Sequence, residues 1–232
     1  METEHTRNAN GPLLLVGSGN SHKVDEIAEA LSGVGDLAGR ALRVAGSRAL
    51  PPGPEPDETG ATFHENARQK AVEYAKRAGA LQGATRPRWV LSDDSGLVVD
   101  CLDGAPGVRS ARYAGEEATD ALNNQKLLRE LQGVSRDRRG AEFICVLSLV
   151  KVPDSIDSPA AEVATAEGRS RGEILLEAQG EGGFGYDPLF FVPELSRTFA
   201  ELTRAEKNAW SHRGRALRVL RERLQDILAR SP

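Results

Sequence analysis

The chain has little that would build a soft-donor metal cluster, a disulfide framework or a membrane span. Its two cysteines, Cys101 and Cys145, lack Cys-x-x-Cys spacing, and its four histidines, His5, His22, His64 and His212, form no His-x-x-x-His pair. Structural zinc and a stapled extracellular scaffold are therefore not expected. No apolar run approaches the roughly 18 residues that a bilayer span requires. The first eleven residues are polar, hold no apolar signal core and end in Gly11-Pro12. The expectation is a cytoplasmic protein with a loose tail at 1–11 and one folded domain at 12–232. There is no excess of positive charge either: 30 Lys and Arg against 34 Asp and Glu leave a net charge of -4. Without a basic field, neither nucleic acid nor a membrane is the expected partner.

What remains is an ordinary globular composition, 39% hydrophobic and 28% charged over 232 residues, enough to bury a sizeable core. Leu13-Leu14-Leu15-Val16 reads as a short buried strand, followed by a helix from His22 to Leu31 with Val24, Ile27, Ala28 and Leu31 at helical spacing. Pro51 to Pro56 is a loop that can carry neither a central strand nor a helix. Thr62-Phe63-His64-Glu65 fits a capping box, and Phe63, Ala67, Ala71, Tyr74, Ala75 and Ala78 form an apolar stripe on a helix from Thr62 to Ala80. Asn66 and Lys70 lie on its polar side. Further strands are expected at Leu97 to Val99, at Phe143 to Val150 and within Ala160 to Leu176, and helices at Asp120 to Leu131 and Ser211 to Ala229. This order predicts a mixed α/β fold in two lobes, a long mixed sheet flanked by helices with a central cleft.

Four stretches carry chemistry. Asp93-Asp94-Ser95-Gly96-Leu97 follows the apolar run Trp89-Val90-Leu91. Adjacent carboxylates at a strand end repel unless a cation or a shared proton relieves them. Mg2+ suits such hard oxygens and takes one or two carboxylates together with substrate phosphates. Alone, the same residues also read as a solvated turn capped by Asp and Ser. Ser18-Gly19-Asn20-Ser21-His22-Lys23 lies where a strand passes to a helix, so its N–H groups favour an anion and Lys23 adds a mobile positive charge. It is neither a Walker A loop nor a dinucleotide fingerprint, and a helix cap followed by a surface lysine is the plainer alternative.

In Gly182-Gly183-Phe184-Gly185-Tyr186-Asp187-Pro188 two aromatics sit among glycines, either to lay a ring on a planar base or to close a hairpin with the rings inward. Ser211-His212-Arg213 opens the last helix with Ser211 as N-cap. Cationic side chains there oppose the helix dipole by roughly 0.3–1 kcal/mol each, a cost that a pocket needing donors would justify and that solvent exposure would avoid. Taken together the stretches describe a nucleotide pocket with phosphates at one end and a base at the other.

Ser-Gly-Asn-x-x-Lys, Glu58-Thr-Gly-x-Thr-Phe-x-Glu-Asn-Ala67, Asp-Asp-Ser-Gly-Leu, Gly-Gly-Phe-Gly-Tyr-Asp-Pro-Leu-Phe and Ser-His-Arg-Gly-x-Ala-Leu occur in this order. Gly104-Ala-Pro-Gly-Val-Arg-Ser-Ala-Arg-Tyr113 and Ala200-Glu-Leu-Thr-Arg-Ala-Glu-Lys207 add to them. From Leu13 to Leu228 the chain resembles the inosine triphosphate pyrophosphatase family, the bacterial dITP/XTP pyrophosphatases. The resemblance implies an elongated α/β fold, a homodimer, and Mg2+-dependent hydrolysis of a non-canonical purine nucleoside triphosphate to monophosphate and pyrophosphate. By motif, Asp94 matches the general base and a metal ligand, Glu58 the other metal-associated carboxylate, with Asp93 beside them. Lys23 and Lys70 match phosphate-facing lysines, and Ser95 lies against the substrate. Phe184, Gly185, Tyr186 and Asp187 match the base site, with Phe184 stacking, and Lys207, Ser211, His212 and Arg213 match base-recognising positions. Ser18 stands where Thr is common, which keeps the hydroxyl. The rival readings are a related pyrophosphatase with another base preference and a nucleotide-binding regulator without turnover.

Overall fold

The computed structural model describes residues 11–35, 39–155 and 158–230. The expected N-terminal tail, apart from Gly11, lies outside the described residues, as do Asp36, Leu37, Ala38, Ile156 and Asp157. Gly11 itself is buried, and a Cβ there would come 1.8 Å from the Ala41 carbonyl oxygen, so the close backbone approach requires glycine.

Among the described residues seven strands form the sheet: β1 (Leu13–Val16), β2 (Arg43–Gly46), β3 (Trp89–Val99), β4 (Gly140–Lys151), β5 (Ala161–Ile174), β6 (Phe190–Val192) and β7 (Arg197–Thr198). They hydrogen-bond in the order β2-β1-β3-β4-β5-β6-β7. The sheet is mixed: β1 pairs parallel with β2 and β3, whereas β5, β6 and β7 pair antiparallel. Among the described residues five helices flank it: α1 (Ser21–Ala30), α2 (Phe63–Gly79), α3 (Asp120–Glu130), α4 (Arg204–Trp210) and α5 (His212–Arg230). Among the described residues no helix is long and apolar enough to cross a membrane.

By contacts the chain divides into two compact units. The first comprises the described residues within 1–94, 146–166 and 216–232, and the second residues 95–145 and 167–215. In the first, every residue of β1 is buried, as an apolar run flanked by parallel neighbours should be. α2 carries the expected capping box, with Thr62 and Glu65 each accepting the other's backbone N–H. Its Ala71, Tyr74, Ala75 and Ala78 pack with Leu15, Val90, Val150 and Val152. In the second unit Leu97, Val99, Leu127, Leu131, Phe143, Tyr186, Phe190 and Phe199 share a core. There the Phe143 ring stands 4.7 Å from that of Phe190.

Three expectations change. Asp93 to Gly96 do not turn: β3 runs unbroken from Trp89 to Val99, taking in the separate strand expected at 97–99. Asp and Ser favour turns when their polar groups face water. Here Asp93 and Asp94 are buried and find side-chain partners, so the extended backbone continues. The alternating stretch after Pro159 is one strand of 14 residues, longer than the 12 of β4. Finally α4, β2, β6 and β7 were not expected, although Thr203-x-x-Glu206 is a capping box at the start of α4.

Candidate active site

In the first unit a cluster of opposite charges forms where α1 and α2 meet β3. Successive side chains of a strand leave on opposite faces, and the neighbouring acids take different partners. Asp93 Oδ2 is 3.0 Å from Lys23 Nζ on α1. Asp94 Oδ2 accepts from Asn66 Nδ2 of α2 at 3.1 Å, and Asp94 Oδ1 lies 3.5 Å from Lys70 Nζ one turn further along that helix. Lys70 also donates to Glu58 Oε1 at 2.5 Å, so a single ammonium bridges the two carboxylates.

Burial pushes the Asp94 carboxyl above the usual carboxylate range; Lys70 pulls it back, Glu58 pushes it up again, and the Asn66 amide pulls it down. Burial would lower the Lys70 ammonium, but Asp93, Asp94 and Glu58 outweigh it and hold that group above its ordinary value. A raised carboxyl held against two fixed donors is better suited than an ordinary aspartate to accepting a proton.

The donor set allows a test of fit for Mg2+. Glu58 and Asp94 already share one cation, and two carboxylates with phosphate oxygens are the usual complement of that ion. Asp93, expected in the same set, is engaged by Lys23 instead. Among the described residues no group of three or more His, Cys, Asp or Glu side chains converges as a closed cage. The residues present fit a site in which Glu58 and Asp94 would hold the ion together with substrate phosphates, with Asp93 beside them.

The 18–23 segment is a turn held by its own groups. Asn20 caps α1, its Oδ1 accepting from the N–H groups of His22 at 3.0 Å and Lys23 at 3.3 Å. Ser18 Oγ accepts from Asn20 N at 3.2 Å, and the Ser18 carbonyl accepts from Ser47 Oγ at 2.8 Å. Ser92 Oγ of β3 donates to the Gly17 carbonyl at 3.0 Å, which ties the turn to the acid-bearing strand. Three N–H groups assigned to an anion are therefore taken, and Lys23 faces Asp93. Ser21 and His22 are exposed. A Cβ on Gly19 would come 2.6 Å from Glu55 Oε1, and that glutamate accepts from the Tyr74 hydroxyl at 2.6 Å.

The second unit gathers the expected base-site residues, with a division of labour that sequence did not reveal. Asp187 anchors the glycine loop: its Oδ2 accepts from the Phe184 N–H at 2.8 Å and from Lys207 Nζ at 2.5 Å. Lys207 Nζ stands 4.5 Å over the Phe184 ring and the Arg213 guanidinium carbon 5.8 Å, both within cation–π range. Lys207, His212 and Arg213 are all buried, so the donors at the start of α5 do not escape the helix dipole into water.

Tyr186 turns inward. It is buried in the core and donates to the Ser110 carbonyl at 2.8 Å, a packing role in place of the base-lining one expected. The His212 ring is stacked on Phe143 at 4.7 Å. Ser211 Oγ accepts from Gly214 N at 3.1 Å, the expected N-cap. Gly185 is held from both ends, its N–H by Asp120 Oδ2 at 2.7 Å and its carbonyl by Asn124 Nδ2 at 2.9 Å. Ser95 is half-buried in β3, directly after Asp94.

Sequence reasoning missed Asn66, Asp120 and Asn124. Asn66 had a signal, a polar residue one turn before Lys70; the two α3 residues had none.

Comparison with known proteins agrees with these motifs. The profile of the Ham1 family matches residues 14–223. A protein named dITP/XTP pyrophosphatase from Clostridium perfringens is 49% identical over 214 residues, 92% of this chain and 98% of the relative. One of the same name from Exiguobacterium sibiricum is 51% identical over 175 residues, 75% of this chain and 81% of the relative. Among solved structures, a HAM1 protein from Coxiella burnetii is 39% identical with a TM-score of 0.74, over 93% of this chain and 99% of that one.

Proposed function

The chain belongs to the Ham1 family, and on that footing we propose that it hydrolyses non-canonical purine nucleoside triphosphates such as ITP, dITP and XTP to the monophosphate and pyrophosphate. The observation that carries the reading is the buried Asp94, raised above the ordinary carboxylate range and bridged to Glu58 by Lys70. Asp94 takes the proton of a water that attacks the α-phosphorus. Lys70 and Lys23 meet the negative charge of the phosphates. Mg2+ bound by Glu58 and Asp94 would neutralise charge on the phosphates and the leaving pyrophosphate.

Base recognition falls to the second cluster. Phe184 offers a ring, and Lys207, His212 and Arg213 offer donors to a purine 6-oxo group. Adenine carries a 6-amino group there, which leaves buried donors unmatched and is heavily penalised. The alternative of a nucleotide sensor without turnover has no use for a carboxylate pair bridged by a lysine. We further propose that residues 12–232 act as one catalytic domain, that the protein works in the cytoplasm and that it is a homodimer. The family match over residues 14–223 supports the first, the thiol state of Cys101 and Cys145 the second, and the family resemblance the third. Sedimentation velocity checks the oligomer.

The test is pyrophosphate release, as distinct from orthophosphate, from ITP, XTP, GTP, ATP and dUTP, with and without Mg2+, in 18O-labelled water. The expected result is Mg2+-dependent turnover of ITP and XTP with the label in the monophosphate, and a folded Asp94→Asn variant with no turnover. Label in pyrophosphate, or Asp94→Asn within tenfold of the parent, would overturn the assignment.

A further inference from the structure

We infer that Asn66 is a positioning residue for this reaction, its amide holding Asp94 on one side and the segment that carries Glu58 on the other. The inference rests on the reading that Asp94 takes the proton. Asn66 lies on the inward side of α2 beside Ala67, Ala71 and Tyr74 and is only 1% exposed. A buried amide is unfavourable unless both its ends are paired. Both are: Oδ1 accepts from the Gly60 N–H at 2.7 Å, and Nδ2 donates to Asp94 Oδ2 at 3.1 Å. The two bonds fix the amide's orientation, because a peptide N–H needs an acceptor and a carboxylate needs a donor.

The consequence is directional. Asp94 Oδ2 is committed to the amide, and Oδ1 is the oxygen beside Lys70, 3.5 Å from its Nζ. On the other side the hold extends along the chain after Glu58. Glu65 Oε2 accepts from the N–H groups of Ala61 at 2.7 Å and Thr62 at 3.0 Å, so with Asn66 three consecutive backbone donors are tied to the first turn of α2. Gly60 has no room for a side chain: a Cβ would come 2.6 Å from Glu65 Cβ and 2.8 Å from Asn66 Oδ1. One amide thereby ties together the two segments whose carboxylates share Lys70. Misplacement of a reacting group by an ångström costs about a hundredfold in rate.

Two substitutions separate the bonds. Asn66→Ala removes both, whereas Asn66→Asp can still accept from Gly60 but no longer donates to Asp94. They are compared with the parent and Asp94→Asn by steady-state kinetics on ITP, by thermal unfolding, and by calorimetric binding of an ITP analogue with a methylene between the α- and β-phosphorus in Mg2+-free buffer. In both Asn66 variants kcat should fall about a hundredfold. In Asn66→Ala, KM and analogue affinity should stay within threefold of the parent, and Asn66→Asp should unfold within a few degrees of it. A purely structural role would instead reduce activity in step with the folded fraction, and that outcome overturns the inference. So does Asn66→Asp with kcat within threefold of the parent, or failure of both variants to fold. An active Asp94→Asn would overturn the reading of Asp94 and this inference with it. An inactive Asp94→Asn beside a fully active Asn66→Asp would overturn this inference alone.

Discussion

Replacing Lys70 by Met keeps most of the side-chain volume and removes the charge that Glu58 and Asp94 share. The ammonium is 2.5 Å from one carboxylate and 3.5 Å from the other. At an effective dielectric near 20 those distances correspond to attractions of about 5–7 kcal/mol each before desolvation is subtracted. Breaking a buried ion pair by deleting one partner costs about 3–5 kcal/mol net. Glu58, whose side chain is 23% exposed, recovers part of its solvation, so about 2–4 kcal/mol is expected here. For a protein of this length that is a fall of roughly 4–16 °C in Tm.

The pH dependence gives the sharper check on the same variant. Lys70 is held above its ordinary value in the folded state, so its contribution is fully present below that value and disappears only as pH rises past the folded one. On the acid side Asp94, already raised, loses its charge earlier than an ordinary aspartate, and the pairing weakens with it. The stability gap between parent and Lys70→Met should therefore be widest between about pH 7 and 9 and narrow towards pH 4. Urea unfolding of both proteins at pH 4.5 and pH 8 measures it. Equal gaps at the two pH values, or a gap below about 1 kcal/mol at pH 8, would refute the bridging role.

Arg213→Ala should lower kcat/KM for ITP about 10- to 100-fold more than for ATP, the loss expected for a charged donor to an oxo group; an unchanged ratio would assign Arg213 to phosphates or fold. Glu206 is held down at about 2, chiefly by its hydrogen bond from Arg197. Its contribution is thus present above the ordinary Glu range and lost as pH falls towards 2, so Glu206→Gln should melt below the parent at pH 7 and with it at pH 2–2.5. A difference that persists at pH 2 would place the effect in packing.

The identities of the chemical residues were legible because each chemistry leaves few residue types to choose from, and their roles were less so because roles depend on what packs against them. Phe184 and Tyr186 illustrate the limit. Both sit in one glycine loop two residues apart, where local pattern treats them alike and the family resemblance alone singles out Phe184 for stacking; the Phe184 ring is covered by Lys207 and Arg213, while Tyr186 enters the core and bonds Ser110. Ser211 was recognised both as a cap and as a site residue, and the hydrogen bonds show it, like Asn20, capping a helix. Asp120 and Asn124 hold Gly185 from 65 and 61 residues away in sequence, a separation no local pattern bridges.

The pair Asp93-Asp94 changes meaning once the strand is known to continue through it. At a strand end the two acids would share a neighbourhood and need a common cation. Inside a strand, period two separates them, and each can be neutralised by a different helix. Lys23 of α1 answers Asp93, and Lys70 of α2 answers Asp94. The cluster still holds three carboxylates, Glu58, Asp93 and Asp94, against two ammonium groups, one negative charge in excess. That excess lies on the Glu58 and Asp94 side, where two acids share one lysine. It is therefore the side to which a further cation is drawn, and the side on which burial already raises Asp94. Asp93 pairs with Lys23 at 3.0 Å, which fastens α1 and its preceding turn to β3, and its charge also helps to hold Lys70 above its ordinary value.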